Sequence, residues 1–323
     1  MQIGYKLMAE GFGPKEIVRQ AVRAEEVGFD FVEISDHIHP WLYSQQHSGF
    51  AWSILASIAA KTERIEIATG VTCPYMRYHP AIIAQAAATL ALLSDGRFVF
   101  GTGAGERLNE HVVGKGWPGV TIRHEMFREA LEIIKLLWTG GYHSYQGKHL
   151  TLEDARVFDL PETPPLIAVA ASGPRSAKIA AELGDGLFAT EPKPDLVTAY
   201  RDAGGTGPAY AEVPLSWAPD EDAAVKSAHE LFRFGPTGWK VQSELPNPIN
   251  FEAATAFVRP DDIKESFGCG PDPARHLEVA QQFVDAGFDR LALTNAGPDP
   301  DGFLDFFASD LNERVRGLTP NPA

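Results

Sequence analysis

The sequence predicts a parallel (β/α)8 barrel, and three observations support that fold class. Short apolar runs alternate along the chain with segments whose apolar residues recur at helical spacing. Such strand–helix units number about eight, the count that closes a barrel. The apolar runs also end in titratable or glycine-rich stretches, and strand carboxyl ends are where parallel α/β proteins bind ligands. An open doubly wound sheet is the other fold with this rhythm.

Gln2–Lys6 is a short first strand. Pro14 suits the first turn of a helix in which Ile17, Val18, Ala21, Ala24 and Val27 share a face, and Gly28 ends it. Phe29–Ile34 reads as a buried strand, so the chain opens β-α-β, a crossover that is normally right-handed. Ala51–Lys61 is a helix and Ile65–Thr69 a strand; Pro80–Ser94 is a helix and Phe98–Gly101 a strand. Arg123–Thr139 is a helix with Phe127, Ala130, Leu131, Ile134 and Leu137 on one face. Tyr142–Leu152 breaks the rhythm as a hairpin turning at Gln146-Gly147. Leu166–Ala170, Gly186–Ala189 and Glu212–Trp217 are strands, each followed by a helix: Pro174–Leu183, Asp195–Ala203 and Asp222–Phe234. Residues 235–260 are rich in Pro, Gly and Asn and read as an irregular functional insertion or lid. Pro273–Ala286 is a helix, Arg290–Thr294 the last strand and Gly302–Val315 the closing helix. No repeat or low-complexity tract divides the chain, so residues 1–323 read as one barrel domain with that insertion.

Composition narrows the function. Hydrophobic residues make up 44% of the 323, enough for a full core. The net charge of −15 argues against nucleic acid or an anionic membrane as the main partner. Cys73 and Cys269 are too few for a disulfide framework and fit a reduced, cytoplasmic protein. Met1–Gly13 lacks the pattern of a signal peptide. The longest uncharged stretch, Tyr78–Ser94, is Ala-rich and reads as a buried helix rather than a membrane span.

Four stretches carry the candidate chemistry. Ser35-Asp36-His37-Ile38-His39-Pro40-Trp41 ends the second strand in an imidazole able to move a proton and an aromatic able to wall a flat ring. Thr69-Gly70-Val71-Thr72-Cys73-Pro74 follows the third strand, with backbone freedom at Gly70. Gly101-Thr102-Gly103-Ala104-Gly105-Glu106 follows the fourth; its glycines admit a flat or anionic ligand, and Glu106 can pair with His37 as acid and base. Ala171-Ser172-Gly173-Pro174-Arg175-Ser176 opens a helix and reads as a phosphate seat or as plain capping by Ser172. Thr190 and Lys193 follow the sixth strand and can meet a hydroxylated or anionic substrate, though Lys193 reads equally as a surface lysine. His37 and His39 alone make an incomplete metal shell, and no metal-hydrolase, dithiol or P-loop motif is present, so no metal is expected.

These stretches, with Met76-Arg77-Tyr78 before Pro80 and Asn109-Glu110 after Glu106, stand in the order found in the luciferase-like flavin and deazaflavin superfamily. Over essentially the whole chain the sequence resembles its F420-dependent glucose-6-phosphate dehydrogenase and secondary-alcohol dehydrogenase group. The resemblance implies a (β/α)8 barrel, a homodimer and bound coenzyme F420, an 8-hydroxy-5-deazaflavin. By that resemblance Asp36, Cys73, Ala104, Gly105 and Asn109 line the cofactor, and Gly70–Val71 is a cis peptide behind its ring. Ser172, Gly173, Arg175 and Ser176 hold its phosphate. His37 and Glu106 are the proton-transfer pair, with either one as base; Trp41 is the active-site aromatic and Glu10 a further pocket carboxylate. The implied reaction passes a hydride from the carbinol carbon of a sugar, sugar phosphate or secondary alcohol to F420. An FMN-dependent monooxygenase on the same fold, or a cofactor carrier without turnover, are the alternatives.

The substrate end departs from the sugar-phosphate pattern. Thr190 and Lys193 match half of the family's phosphate site, with His39 nearby as a further substrate contact. A second lysine of the pattern falls on Ala253, and its arginine falls near His276 or Leu277, with Arg275 adjacent. With Phe251, Ala253 and Phe257 expected in the lining, a neutral sugar or secondary alcohol is expected in preference to glucose 6-phosphate.

Overall fold

A computed structural model describes residues 1–321. Eight strands pair in parallel and close on themselves. In chain order they are β1 (Gln2–Leu7), β2 (Phe31–Ile34), β3 (Glu66–Thr69), β4 (Phe98–Thr102), β5 (Leu166–Ala170), β6 (Gly186–Ala189), β7 (Ala209–Ser216) and β8 (Arg290–Asn295). Closure comes from β7 pairing with β6 and β8, and from β8 pairing with β1. The alternating elements form the expected (β/α)8 barrel.

The strands are buried on both faces, which is why they read as near-continuous apolar runs. One face packs outward: Ile3, Tyr5, Leu7, Val32, Ile34 and Ile67 join the helices in the main core. The other face fills the barrel. Phe31, Ala68, Val99, Ala168, Phe188, Tyr210 and Ala292 form a separate interior cluster. The Phe31 and Tyr210 rings meet edge to face at 5.7 Å. On β1 the matching position is Gly4, where a Cβ would stand 2.3 Å from the Phe31 ring. The barrel closes around Phe31 because β1 presents no side chain there.

The strand boundaries shift by a few residues. Gly28, at φ +95°, turns the chain, and pairing starts at Phe31 rather than Phe29. β7 starts at Ala209, because Ala209 and Ala211, which face the outer core on either side of the interior Tyr210, carry no β-branched signal. The hairpin pairs His143–Gln146 with Thr151–Ala155 through a four-residue loop, not a two-residue turn. The Glu129 carboxylate stabilises that loop by accepting from the N–H groups of Lys148, His149 and Leu150. Residues 235–260 contain short helices, Trp239–Gln242 and Pro248–Ala254, where irregular chain was expected. A two-residue strand, Gly268–Cys269, adds to the end of β7. The closing helix is interrupted by a π turn at Phe307–Leu311. The uncharged helix Pro80–Leu93 buries Ile83, Ala84, Ala87 and Leu90 in the core. Among the described residues no helix is long and apolar enough to cross a membrane.

Candidate active site

Two residues above the apolar interior layer, the same strand faces turn polar. Gly4 gives way to Lys6, Phe31 to Glu33, Ala68 to Gly70, Tyr210 to Glu212 and Ala292 to Thr294. This layer underlies a cavity of about 950 Å³ at the carboxyl ends of the strands. Residues 232–244 arch over its outer side. A group at the end of one strand can reach groups at the ends of its neighbours, so the cavity gathers residues far apart in sequence.

His37 lies on the cavity wall between two carboxylates. Its Nδ1 is 2.5 Å from Glu10 Oε1, and its Nε2 is 3.7 Å from Glu106 Oε1. The Glu10 contact is close but poorly aligned for a linear hydrogen bond, so it acts mainly as an ion pair. Burial disfavours the imidazolium, but Glu10 and then Glu106 outweigh it, and the proton affinity of His37 ends above its ordinary value. Burial likewise opposes charge on Glu10; His37 and Lys6 overcome it and hold the carboxyl below its usual range. Asn109 braces the arrangement. Its Nδ2 donates to Glu106 Oε1 at 2.7 Å, while its Oδ1 accepts from the N–H groups of Ile38 and His39 at 2.7 and 2.9 Å. Asn109 thus ties the β2 loop to the β4 loop and lies outside the cavity lining.

Trp41 stands edge-on to His37, with ring centroids 5.1 Å apart, and stacks on Phe234 at 4.9 Å. Gln45 orients that turn by accepting from the N–H groups of Trp41 and Leu42 and donating to the Leu231 carbonyl. Phe251 is fully buried against Trp41 and supports it from behind.

Gly70, Val71, Ala104 and Gly105 line one side of the cavity with backbone and small side chains, a surface suited to a flat ring. The Gly70–Val71 peptide is cis. Lys6 Nζ donates to the Gly70 carbonyl at 2.8 Å and to Glu212 Oε1 at 2.6 Å, and lies 3.6 Å from Glu33 Oε1. Burial pushes the Glu33 carboxyl up to about 8, so it is mostly protonated at neutral pH.

At the end of β5, Ser172, Gly173, Arg175 and Ser176 all face the cavity. Ser176 Oγ accepts from the N–H groups of Ser172 and Gly173 at 3.2 and 3.3 Å, which ties the loop to the first turn of helix Pro174–Leu183. Beside this seat, burial and the charges of Arg123 and Arg175 push the His124 imidazole down. The N-terminal helix dipole, open backbone at Gly173 and Arg175 fit an anionic group.

Several expected residues stand elsewhere. The Asp36 carboxylate is buried outside the cavity lining, among Thr72 Oγ1, Tyr78 OH, Trp52 Nε1 and Arg77 Nη2 at 2.8, 3.0, 3.3 and 3.3 Å. Cys73 lies behind Gly105, and burial raises its thiol. His39 borders a separate surface depression, with Nδ1 3.2 Å from the Leu108 carbonyl. Thr190 lines the cavity, but Lys193 does not; its ammonium bonds Glu191 Oε2 at 2.7 Å. Arg275 pairs with Glu278 on the surface and reaches the Lys264 carbonyl, outside the cavity. Ala253 and Phe257 are exposed and outside it too, so the apolar wall is made instead by Trp41, Phe232, Phe234 and Phe267. Lys6, Glu33 and Glu212 were not anticipated. Their signal was a charged residue inside an apolar strand, two positions from an interior aromatic or glycine.

The luciferase-like monooxygenase family matches residues 1–290. The chain belongs to this family. Its relatives include F420-dependent glucose-6-phosphate dehydrogenases. That of Kribbella flavida is 36% identical, covering 98% of this chain and 99% of the relative; that of Microbacterium testaceum is 34% identical, covering 98% of each. An F420-dependent secondary alcohol dehydrogenase, solved in complex with an F420-acetone adduct, superposes with a TM-score of 0.90 at 30% identity over 98% of both chains. An F420-dependent tetrahydromethanopterin reductase from Methanopyrus kandleri, at 22% identity and a TM-score of 0.76 over 97% of this chain and 99% of the other, shares the fold.

Proposed function

We propose that the protein is an F420-dependent dehydrogenase acting on CH–OH donors. The observation that carries this reading is His37 held between Glu10 and Glu106 in a cavity that also contains an anion seat. The names of the relatives support the same cofactor and reaction class. When bound, F420 accepts the hydride from the carbinol carbon of the substrate. The protein handles the proton. Glu10 stabilises positive charge on the imidazole from the Nδ1 side, and Nε2 is the base that takes the hydroxyl proton in oxidation. Glu106, fixed by Asn109, is the second proton carrier. Trp41 and Phe234 exclude water from that side. Gly70, Val71, Ala104 and Gly105 would face the ring, and Ser172–Ser176 with Arg175 the phosphate. Asp36, Cys73 and Asn109 act from behind, as braces of the loops that touch it.

The buried, unpaired Cys73 and Cys269 support a reducing, cytoplasmic location. The homodimer implied by the family resemblance is part of this reading. The reading is tested by following tryptophan fluorescence while titrating F420 and FMN in parallel. Saturable F420 binding, lost when Gly173 is replaced by Asp, supports it. Tight FMN binding with no response to F420 overturns it in favour of a flavin monooxygenase.

A further inference from the structure

We propose that Glu191 determines the substrate class, excluding phosphorylated and other anionic alcohols so that neutral ones are used. This deepens the dehydrogenase reading above and rests on it for the identity of the cavity. Starting from the anion seat on β5, the barrel order places β6, β7, β8, β1 and β2 in succession. That sector contains His37, so it is where the reacting alcohol must lie. Its lining carries Glu191, Glu212 and Glu10, against two ammoniums: Lys6, which is already committed to Glu212 and the Gly70 carbonyl, and Lys240 on the arch.

The loop after β6 holds both signs of charge, but only one faces the cavity. Glu191 lines it, and Lys193, two residues on, is drawn back to Glu191 Oε2 at 2.7 Å. Lys193 cannot leave that contact without exposing the carboxylate to the same ligand. Pro192 and the start of helix Pro194–Asp202 restrict the loop further. Arg275 is engaged by Glu278 on the surface, and position 253 is alanine. A phosphate dianion in this sector would meet carboxylates before cations, and like-charge juxtaposition is strongly disfavoured. A neutral hydroxyl meets no such barrier and can donate to Glu191 or Glu212. Lys240, on the arch over the cavity, is the competing feature, because it lines the cavity with no carboxylate partner among the described residues.

The test measures binding of glucose and glucose 6-phosphate by calorimetry at fixed low salt, with the protein saturated with reduced F420 so that the anion seat is filled and no turnover occurs, in wild type, Glu191→Gln, Glu191→Gln/Lys193→Met and Lys240→Met. The expected wild type binds glucose 6-phosphate no more tightly than glucose. Glu191→Gln should raise the preference for the phosphorylated sugar about tenfold, by removing one repulsion and freeing Lys193. The double variant should lose the part of that gain that comes from Lys193 and keep the part that comes from removing the carboxylate. An unchanged preference in Glu191→Gln overturns the proposal. So does a wild type that prefers the phosphate and loses the preference in Lys240→Met. F420 reduction by the same sugars and by isopropanol is measured separately. Its absence with every alcohol would defeat the dehydrogenase reading, while the binding ratios would still decide the role of Glu191.

Discussion

Replacing Glu10 with Gln keeps the size of the side chain and an acceptor oxygen, but removes the charge 2.5 Å from His37 Nδ1. Burial alone would lower the proton affinity of His37; Glu10 is the main group that reverses this, with Glu106 second. Oxidation needs the neutral imidazole as base. In wild type, kcat/KM for alcohol oxidation should therefore rise with pH through an inflection above the ordinary histidine value of 6.5. In Glu10→Gln the inflection moves toward acid, because burial is then opposed by Glu106 alone. The plateau also falls. Truncating the charge of a buried ion pair that stabilises the developing imidazolium should cost at least about 1.4 kcal/mol, or about tenfold. Carbonyl reduction, which needs the imidazolium, should show the opposite pH slope and lose more of its neutral-pH rate. The assay is F420 absorbance followed across a pH series with isopropanol and with acetone. An unmoved inflection, or one displaced to higher pH, would refute the assignment of Glu10 as the group that charges His37.

Gly173→Asp should fold normally, because its backbone is extended and a Cβ there meets nothing within 4 Å. It should still weaken F420 binding by about ten- to a hundredfold by placing a carboxylate at the anion seat, and normal affinity would move the phosphate elsewhere. Gly105→Ala should lose about 2–4 kcal/mol in urea denaturation: φ is +76°, and the new methyl would lie 2.8 Å from Cys73 Sγ. A loss below about 0.5 kcal/mol would contradict that geometry. Glu33 binds a proton more readily folded than unfolded, so its own contribution to stability should fall as pH rises from 4.5 to about 8. Glu33→Gln removes that slope and should exceed wild type at the upper end by on the order of 2 kcal/mol in a denaturation series; parallel curves would contradict it.

The barrel was legible because its strands are buried on both faces, a condition that leaves long apolar runs in the sequence. The meeting of His37, Trp41 and Glu106 in one cavity was legible for a different reason: each follows a strand, and strand ends meet on one rim, whereas Glu10 was reached only through the family resemblance. Direction was not legible. Asp36 follows its strand as His37 does, yet its carboxylate turns away to donors from Trp52, Thr72, Arg77 and Tyr78, contacts that exist only after those loops pack. Lys193 and Arg275 illustrate a nearer failure. Each has a carboxylate within reach along its own segment, Glu191 and Glu278, and pairs with it instead of facing the cavity. The polar layer of Lys6, Glu33 and Glu212 carried a clear mark, charge inside an apolar run, but its meaning depended on the register that stacks it above Phe31 and Tyr210.

In the proposed reaction an alcohol carbon passes its hydrogen directly to F420 while His37 takes the proton. The most direct measurement is anaerobic reduction of F420 by isopropanol and by isopropanol deuterated at the carbinol carbon, in wild type and in His37→Ala. Wild type should reduce F420, with the deuterium recovered in the reduced cofactor. In His37→Ala the rate should be lower by roughly 10²–10⁴, with deuterium still transferred. No reduction of F420 by any alcohol, or reduction without transfer of the label, would contradict the proposed reaction.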